Sequence, residues 1–224
     1  MSLLIEKARE QVARAGKQML DGGLVTGSWG NISARVPKDD VLVITPSGLD
    51  YARLRPQDMV VVGMDGRVIE GDLKPSTELP MHLGIYRARP DVEAIVHTHS
   101  PNACALAVAR VPLPVILEEV AQVVGGPVAV ADYAPAGSEA LAQSAVRALA
   151  GVNAVLLANH GVVGVGRSVS EALQVCRVVE RAAGVYLMAR LVGGPVVLGP
   201  QETESLRHFY ITAYGQRDGR TGRA

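Results

Sequence analysis

Three of the five histidines in this chain follow apolar runs that are typical of β-strands. His97 and His99 come at the end of residues 94–96, and His160 follows residues 153–158. Residues two apart on a strand point to the same face of a sheet, so the first two imidazoles can reach one point in space. A lone histidine at a strand end is usually a packing residue, but a third in the same context completes the ligand set of a catalytic zinc site. The sequence therefore predicts a metal centre held by His97, His99 and His160.

The composition fits a single domain with an α/β fold. The 224 residues are enough for one large hydrophobic core. Hydrophobic residues make up 48% but aromatic residues only 4%, so the core consists mainly of small branched side chains, which suits packed layers of helices and strands. We expect residues 1–224 to form one domain, with a mobile tail from about residue 215 that is rich in Arg, Asp and Gly.

Charge and hydropathy argue against several kinds of partner. Lys+Arg and Asp+Glu each number 22, so no net charge attracts nucleic acid or an anionic membrane. No apolar run reaches the about 20 residues that span a bilayer, and the N-terminus lacks a signal-peptide segment. Cys104 and Cys176 are too few for a disulfide framework and fit a reducing compartment. We therefore expect a cytoplasmic protein without nucleic acid or membrane as a partner.

Hydrophobic periodicity predicts the elements around the histidines. Apolar residues at helical spacing, with capping residues, predict helices over approximately 4–20, 80–88, 102–110, 138–150, 168–192 and 202–214. Apolar runs bounded by turn residues predict strands over approximately 41–44, 60–62, 67–69, 94–97, 114–117, 128–130, 153–158 and 162–165. The second and third of these strands form a hairpin around Asp65-Gly66.

Three loops of small and hydroxyl-bearing residues precede the first two histidines: 26–33, 45–48 and 74–77. Their glycines let backbone N–H groups approach a ligand closely, and a hydroxyl-bearing segment before a helix can cap that helix or bind an anion. One such loop is usually a plain turn or a cap. Three of them in one chain favour an anion-binding site.

These residues together resemble the class II aldolase/adducin family, and within it the members that cleave L-fuculose 1-phosphate. The resemblance extends from the first helix to residue 215. It implies a three-layer αβα fold around a central, largely antiparallel sheet, and a homotetramer with active sites at subunit contacts. It rests on Gly30-Asn31-Ile32-Ser33, Thr45-Pro46-Ser47-Gly48, Ser76-Thr77-Glu78, His97-Thr98-His99 and His160-Gly161, in this order.

The resemblance also implies roles for residues of this chain. His97, His99 and His160 match the ligands of one zinc ion per subunit, although another divalent metal would also fit. Glu78 matches an acid/base residue beside the metal, and Tyr214 matches a tyrosine that assists proton transfer. The positions that match those holding the substrate phosphate are Ser28, Gly30, Asn31, Ser47, Gly48, Ser76 and Thr77.

The activity implied is retro-aldol cleavage of a ketose 1-phosphate to dihydroxyacetone phosphate and an aldehyde. Zinc would act as a Lewis acid, and Glu78 would exchange a proton with C3 of the substrate. By itself, Glu78 could equally be a carboxylate that interacts favourably with a helix N-terminus. Its place beside three histidines favours the catalytic role.

Four alternatives stay open. Methylthioribulose-1-phosphate dehydratases of this family use a glutamate near Glu118 or Glu119, where the fuculose enzymes have a tyrosine, but they lack the equivalent of Glu78. L-Ribulose-5-phosphate 4-epimerases have an aspartate at that position. A decarboxylase of a phosphorylated sugar acid is a third enzyme of this type. An adducin-like binding domain would be non-catalytic and would have lost metal ligands, whereas all three histidines are present here.

Overall fold

The computed structural model describes residues 2–214, which contain eight strands and six α-helices. The strands are β1 (Asn31–Val36), β2 (Val41–Ile44), β3 (Val60–Gly63), β4 (Val68–Glu70), β5 (Ala94–Thr98), β6 (Val130–Ala131), β7 (Ala154–Leu157) and β8 (Gly161–Gly166). The helices are α1 (Leu3–Asp21), α2 (Leu79–Ala88), α3 (Pro101–Ala109), α4 (Glu139–Leu149), α5 (Val169–Leu191) and α6 (Pro200–Thr212). The tail predicted from about residue 215 lies outside the described residues.

All eight strands belong to one mixed sheet with the order β4-β3-β2-β1-β5-β8-β7-β6. Neighbouring strands are antiparallel except for β6 and β7, which are parallel. Strand β5 lies in the middle of the sheet and pairs with β1 on one edge and β8 on the other. Because both of its edges are hydrogen-bonded, β5 holds the residues at its end in a fixed position.

Alternate side chains of β5 enter different hydrophobic clusters. Val96 belongs to a cluster with Val12 of α1 and Leu173 of α5. Ile95 belongs to another cluster, which includes Ile85 of α2 and Leu141 of α4. Burial on both faces explains why this strand is a continuous apolar run in the sequence. Helices therefore cover both faces of the sheet at the strand that carries His97.

Serine side chains cap the N-termini of several helices, and the sequence predicts two of these caps. Ser138 Oγ accepts a hydrogen bond from Leu141 N at 3.1 Å, and Ser168 Oγ accepts one from Glu171 N at 3.2 Å. These side chains satisfy backbone N–H groups that have no partner within the helix. The predicted α4 and α5 helices are confirmed with these starts.

The prediction of a strand at 114–117 is wrong. Leu113 makes one isolated bridge with Val128, and residues 114–117 then continue without strand pairing. Pro114 has no N–H to donate to a neighbouring strand. The apolar residues here are instead used for packing: Val115 and Val120 are buried in a cluster with side chains of α3 and α5.

The sequence pattern does not predict the start of strand β1. Its residues alternate between Asn31, Ser33 and Arg35 on one face and apolar side chains on the other, so its first three residues resemble part of the polar loop before them. In the structure Asn31 and Ser33 are buried, at 4% and 0% exposure. Buried polar side chains need hydrogen-bond partners, which makes this strand informative about function.

Within the described range, no helix has both the length and the apolar character needed to cross a membrane.

Candidate active site

Two neighbouring strands bring the three predicted ligand residues together. His97 lies near the end of β5, His99 directly follows that strand, and His160 lies in the turn between β7 and β8. The ring centroids of the three pairs are 4.7 to 4.9 Å apart. One ring nitrogen from each histidine lies within 4.8 Å of the others. The convergence predicted from the sequence is therefore present in the structure.

The turn that carries His160 depends on two backbone features. Asn159 adopts the left-handed conformation, with φ 54°, and His160 N donates to Leu157 O at 3.0 Å, so β7 reverses tightly into β8. Asparagine tolerates this conformation better than most residues. Gly161 then passes close to β5, where a Cβ atom would overlap with the carbonyl oxygen of Thr98. Glycine at this position allows the two histidine-bearing segments to meet.

Hydrogen bonding orients the imidazole of His97 toward the other two. Its Nδ1 lies 3.0 Å from the carbonyl oxygen of Val162, which can only accept, so Nδ1 carries the hydrogen. Its other ring nitrogen, Nε2, faces the other rings and lies 2.9 Å from His99 Nε2. A metal-binding histidine usually has its second nitrogen bonded to a carbonyl or carboxylate in this way.

The electrostatic surroundings favour neutral imidazoles at two of the three positions. Burial, together with the neighbouring His97, lowers the pKa of His99 to about 3 and that of His160 to about 4. At His97 burial also lowers the pKa, but the adjacent Glu78 carboxylate outweighs it, and the pKa is raised overall. Neutral imidazole is the form that binds metal, so this set of donors fits a divalent ion such as zinc.

Glu78 immediately precedes α2 and places a carboxylate against two of the histidines. Its Oε2 lies 3.1 Å from His97 Nε2, and its Oε1 lies 3.4 Å from His160 Nε2. Asn31 Nδ2 donates to Oε2 at 2.8 Å. Although burial raises the pKa of Glu78, these neighbours lower it well below its usual range, so the carboxylate is ionised. Oε1 is buried and has no hydrogen-bond partner among the described residues.

The three predicted anion loops lie side by side next to this carboxylate. Ser47 N donates to Lys74 O at 2.9 Å, and Ser76 N donates to Thr45 O at 3.0 Å, so the loops at 45–48 and 74–77 are bonded to each other. The exposed residues Ser47, Gly48 and Thr77 face solvent there. The buried Ser76 Oγ accepts a hydrogen bond from Glu78 N at 3.2 Å.

The first loop is held against the same region by Tyr51. The Tyr51 hydroxyl donates to Gly30 O at 2.7 Å, and its N–H donates to Gly27 O at 3.2 Å. Gly30 has a φ of 83°, and a Cβ there would lie 2.5 Å from the carbonyl oxygen of His97. The half-buried Ser28 is in this loop, and the Trp29 ring centroid lies 5.8 Å from that of His99. The structure thus places Gly30 and Asn31 directly beside His97.

Sequence comparison agrees with this arrangement. The family model described as "Class II Aldolase and Adducin N-terminal domain" matches residues 10–187. The chain belongs to this family. It is also 39% identical, over 96% of this chain and 100% of the relative, to a "5-deoxy-D-ribulose 1-phosphate aldolase" from Bacillus thuringiensis serovar kurstaki. It is 37% identical, over 92% of each chain, to a "5-methylthioribulose-1-phosphate/5-deoxyribulose-1-phosphate aldolase" from Rhodospirillum rubrum.

Solved structures of the family have the same fold. An "L-fuculose 1-phosphate aldolase" superimposes with a TM-score of 0.89 and 36% identity, and the match covers 92% of this chain and 96% of that one. This class II aldolase family, with its aldolase-named members and the three-histidine cluster, identifies the chain as an enzyme, a metal-dependent aldehyde-lyase.

Tyr214 does not join the cluster within one chain. It is 63% exposed and lines a surface cavity with Arg89, Asp91 and Gly166. Gly166 pairs with Ala94, at the opposite end of β5 from the histidines. A role for Tyr214 in proton transfer would therefore require that it enter the site of a neighbouring subunit.

Glu118 and Glu119, the two glutamates of the dehydratase alternative, also do not contact the three histidines. Glu119 forms an ion pair with Arg181, with Oε1 3.3 Å from Nε, whereas Glu118 is exposed. Neither forms a hydrogen bond or ion pair with the three histidines in the described structure.

No sequence motif indicates His82, a further residue of this region. His82 is fully buried, and its Nε2 lies 2.6 Å from Asn31 Oδ1. The available signal was its spacing, because a residue four positions after Glu78 on a helix lies on the same face.

We expect wild-type protein to contain about one equivalent of divalent metal per subunit, and the His99→Ala variant to lose it. Removing a hydrogen-bond partner of a ligand already costs 10–100-fold in metal affinity, so removing a ligand should cost at least about 100-fold. Elemental analysis after gel filtration measures the content. The exposed His208 provides the control variant, His208→Ala, which should retain the metal. Full metal content in His99→Ala would contradict the assignment.

Proposed function

We propose that this enzyme cleaves a deoxyketose 1-phosphate between C3 and C4, giving dihydroxyacetone phosphate and an aldehyde. The observation that carries the proposal is the ionised Glu78 carboxylate, held between His97 and His160 and directly following a loop with exposed hydroxyls. This arrangement provides a place for a metal and a base, next to a loop that can bind an anion. Relatives whose alignments cover more than 90% of this chain are named as aldolases of such substrates.

Among these substrates we favour 5-deoxyribulose 1-phosphate over L-fuculose 1-phosphate. Curated relatives named for the first are 39% and 37% identical to this chain, and an Escherichia coli relative named "L-fuculose phosphate aldolase" is 32% identical. A five-carbon ketose cleaved after C3 leaves a two-carbon aldehyde. The site therefore needs room beyond C4 for a methyl group only.

The bond changes define what the protein must supply. The C3–C4 bond breaks and its electron pair stays on the C3 side, while the C4 hydroxyl loses its proton as C4 becomes the aldehyde. C3 then gains a proton to give dihydroxyacetone phosphate. A base must take one proton, and an acid must deliver another at C3.

We assign the metal to His97, His99 and His160, and favour zinc because three imidazoles with an open fourth position are typical of catalytic zinc sites. When bound, the ion supplies Lewis-acid stabilisation of the negative charge that develops on the substrate oxygens. Glu78 moves the proton at C3 through Oε1, the oxygen that has no hydrogen-bond partner in the described structure.

Phosphate binding is assigned to the three adjacent loops, through Ser28, Gly30, Asn31, Ser47, Gly48, Ser76 and Thr77. Ser47 and Thr77 offer exposed hydroxyls, and the loops offer backbone N–H groups. The site lies before the N-terminus of α2, whose dipole favours an anion.

We further propose that residues 1–224 form one domain with three αβα layers, and that the protein is a cytoplasmic homotetramer. If Tyr214 assists proton transfer, as we propose, it does so in a neighbouring subunit's site, because it lies near the end of β5 opposite the histidines. Large apolar side chains are also exposed on the single chain, including Met188, Leu191 and Val192 of the α5 end. Such a surface is typical of subunit contacts.

Product analysis tests the activity directly. Purified enzyme with zinc should release dihydroxyacetone phosphate and a two-carbon aldehyde from 5-deoxyribulose 1-phosphate, with a higher kcat/KM than for L-fuculose 1-phosphate. A diketone formed by loss of water would establish the dehydratase alternative, and a C4 epimer would establish the epimerase. No turnover of any ketose phosphate by metal-loaded enzyme would overturn the proposal.

The Glu78→Gln variant should keep its metal but lose proton transfer at C3. An amide cannot act as a base, and general acid–base groups contribute about 10²–10⁴ in rate. Exchange of the C3 hydrogen of dihydroxyacetone phosphate with deuterated water, followed by NMR, measures this step without an aldehyde. Glu204→Gln, on an exposed position of α6, is the matched control. Undiminished exchange in Glu78→Gln would remove this residue from the mechanism.

The double variant Ser47→Ala, Thr77→Ala should raise KM for the phosphorylated substrate about tenfold or more, because hydrogen bonds to charged groups each contribute about 1.5–3 kcal/mol. The kcat should change little, since the phosphate is distant from the breaking bond and binds equally in ground and transition states. Steady-state kinetics measures both constants, with Ser205→Ala as a surface control. A fall in kcat at constant KM would place the phosphate elsewhere.

A further inference from the structure

A chain of buried hydrogen bonds leads away from Glu78 into the core. Glu78 immediately precedes α2, and His82 and Tyr86 follow it at intervals of four residues. The three side chains therefore lie on one face of the helix. Asn31 and Ser33, two apart on β1, share the face of the sheet that meets this helix. All five residues are buried, with exposures from 0% to 5%. The helix and the strand thus align two rows of polar side chains where the fold would otherwise place apolar ones.

The contacts form one unbroken series. Tyr86 OH lies 2.8 Å from Ser33 Oγ, and Ser33 Oγ lies 2.6 Å from His82 Nδ1. His82 Nε2 lies 2.6 Å from Asn31 Oδ1, and Asn31 Nδ2 lies 2.8 Å from Glu78 Oε2. Both ring nitrogens of His82 are therefore occupied by partners, and neither faces the metal-binding histidines directly.

The two ends of the series fix the direction of every hydrogen bond. Asn31 Nδ2 can only donate and lies against Glu78 Oε2, whereas Asn31 Oδ1 can only accept and lies against His82 Nε2. His82 must then carry its hydrogen on Nε2, and its Nδ1 accepts from the Ser33 hydroxyl. Ser33 in turn accepts from Tyr86, whose hydroxyl has no other hydrogen-bond partner in the described residues. The reverse direction would leave the Tyr86 proton without an acceptor and put an amide oxygen against the carboxylate.

His82 is well suited to this role because it stays neutral. Burial lowers its pKa to about 3, an effect that outweighs the attraction of Glu78. A neutral imidazole with Nδ1 occupied by a donor has only one tautomer available. The two orientations of the Asn31 amide are nearly equal in shape. The Nε2–H of His82 therefore favours the one that presents the amide oxygen to it.

We propose that His82 is a positioning residue that fixes the orientation of the Asn31 amide, so that Asn31 holds Glu78 by Oε2 and leaves Oε1 alone for proton transfer. The proposal rests on the proposed function, in which Glu78 moves the proton at C3. It also gives the two amide hydrogens of Asn31 different partners. One is donated to Glu78, and the second stays available to the substrate.

Replacing His82 tests the proposal through a split between kinetic constants. His82→Phe keeps a ring but lacks the N–H, and should lower kcat about tenfold or more, because the buried Asn31 Oδ1 would then have no donor. Both KM and metal content should stay within about threefold of wild type. His82→Gln, which can donate an amide N–H to Asn31, should recover most of the lost kcat. Equal losses in the two variants, or a change confined to KM, would overturn the proposal.

A double-variant cycle tests whether His82 acts through Asn31. If it does, His82→Phe combined with Asn31→Ala should be no slower than Asn31→Ala alone. Additive losses would show that His82 acts by another route. Ser33→Ala provides a smaller perturbation should His82→Phe fold poorly, because it removes only the donor to Nδ1. It should lower kcat less than His82→Phe while leaving metal content and KM unchanged; an unchanged kcat would count against the series.

A readout independent of activity keeps this proposal separate from the proposed function. Nitrogen NMR of metal-loaded enzyme labelled in histidine should show His82 neutral, protonated at Nε2, and slow to exchange with solvent. The Asn31 side-chain amide signals should shift in His82→Phe and return toward wild type in His82→Gln. A His82 protonated at Nδ1 would overturn the inference even in a fully active enzyme. If the tautomer is as stated but no ketose phosphate is cleaved, the proposed function alone fails.

Discussion

The site depends on the antiparallel pairing of β5 with β8. His97 pairs opposite Val163, and Thr98 opposite Val162, so the strand end that carries two histidines lies beside the turn that carries His160. These segments are more than 60 residues apart in sequence, and only the sheet register brings their imidazoles within 5 Å. A shift of one residue would turn His97 to the other face. The absence of a side chain at Gly161 is what allows the approach.

A buried carboxylate must be compensated, and this requirement organises the surroundings of Glu78. His97 and His160 lie on one side of it, and Asn31 donates to it from the other. Burying an ionised group without such partners would cost several kcal/mol. The hydrogen-bond series through His82 and Tyr86 extends this compensation into the core. The same contacts would also give Glu78 the orientation that the proposed proton transfer needs.

Much of the fold and of the site could be predicted from residue patterns. The apolar runs at β5 and β7 located the histidines at strand ends, and the caps at Ser138 and Ser168 located two helices. The failures have physical causes. Strand β1 has a polar face that normally signals exposure, and residues 114–117 have strand-like side chains but a proline that cannot pair. Local pattern does not reveal which partner buries a side chain.

The sequence by itself determined which chemical groups are present: three imidazoles, a carboxylate, and three hydroxyl-rich loops in a fixed order. Only the tertiary structure decided which of these groups meet. It brought the loops together through the bonds between Ser47 and Lys74 and between Ser76 and Thr45, and placed Tyr214 at the far end of β5. It also placed His82 in contact with Asn31, which no sequence motif indicates. The reason is that spacing along the chain fixes the direction of a side chain within its own element, whereas contact between elements depends on strand pairing and helix packing over the whole sheet.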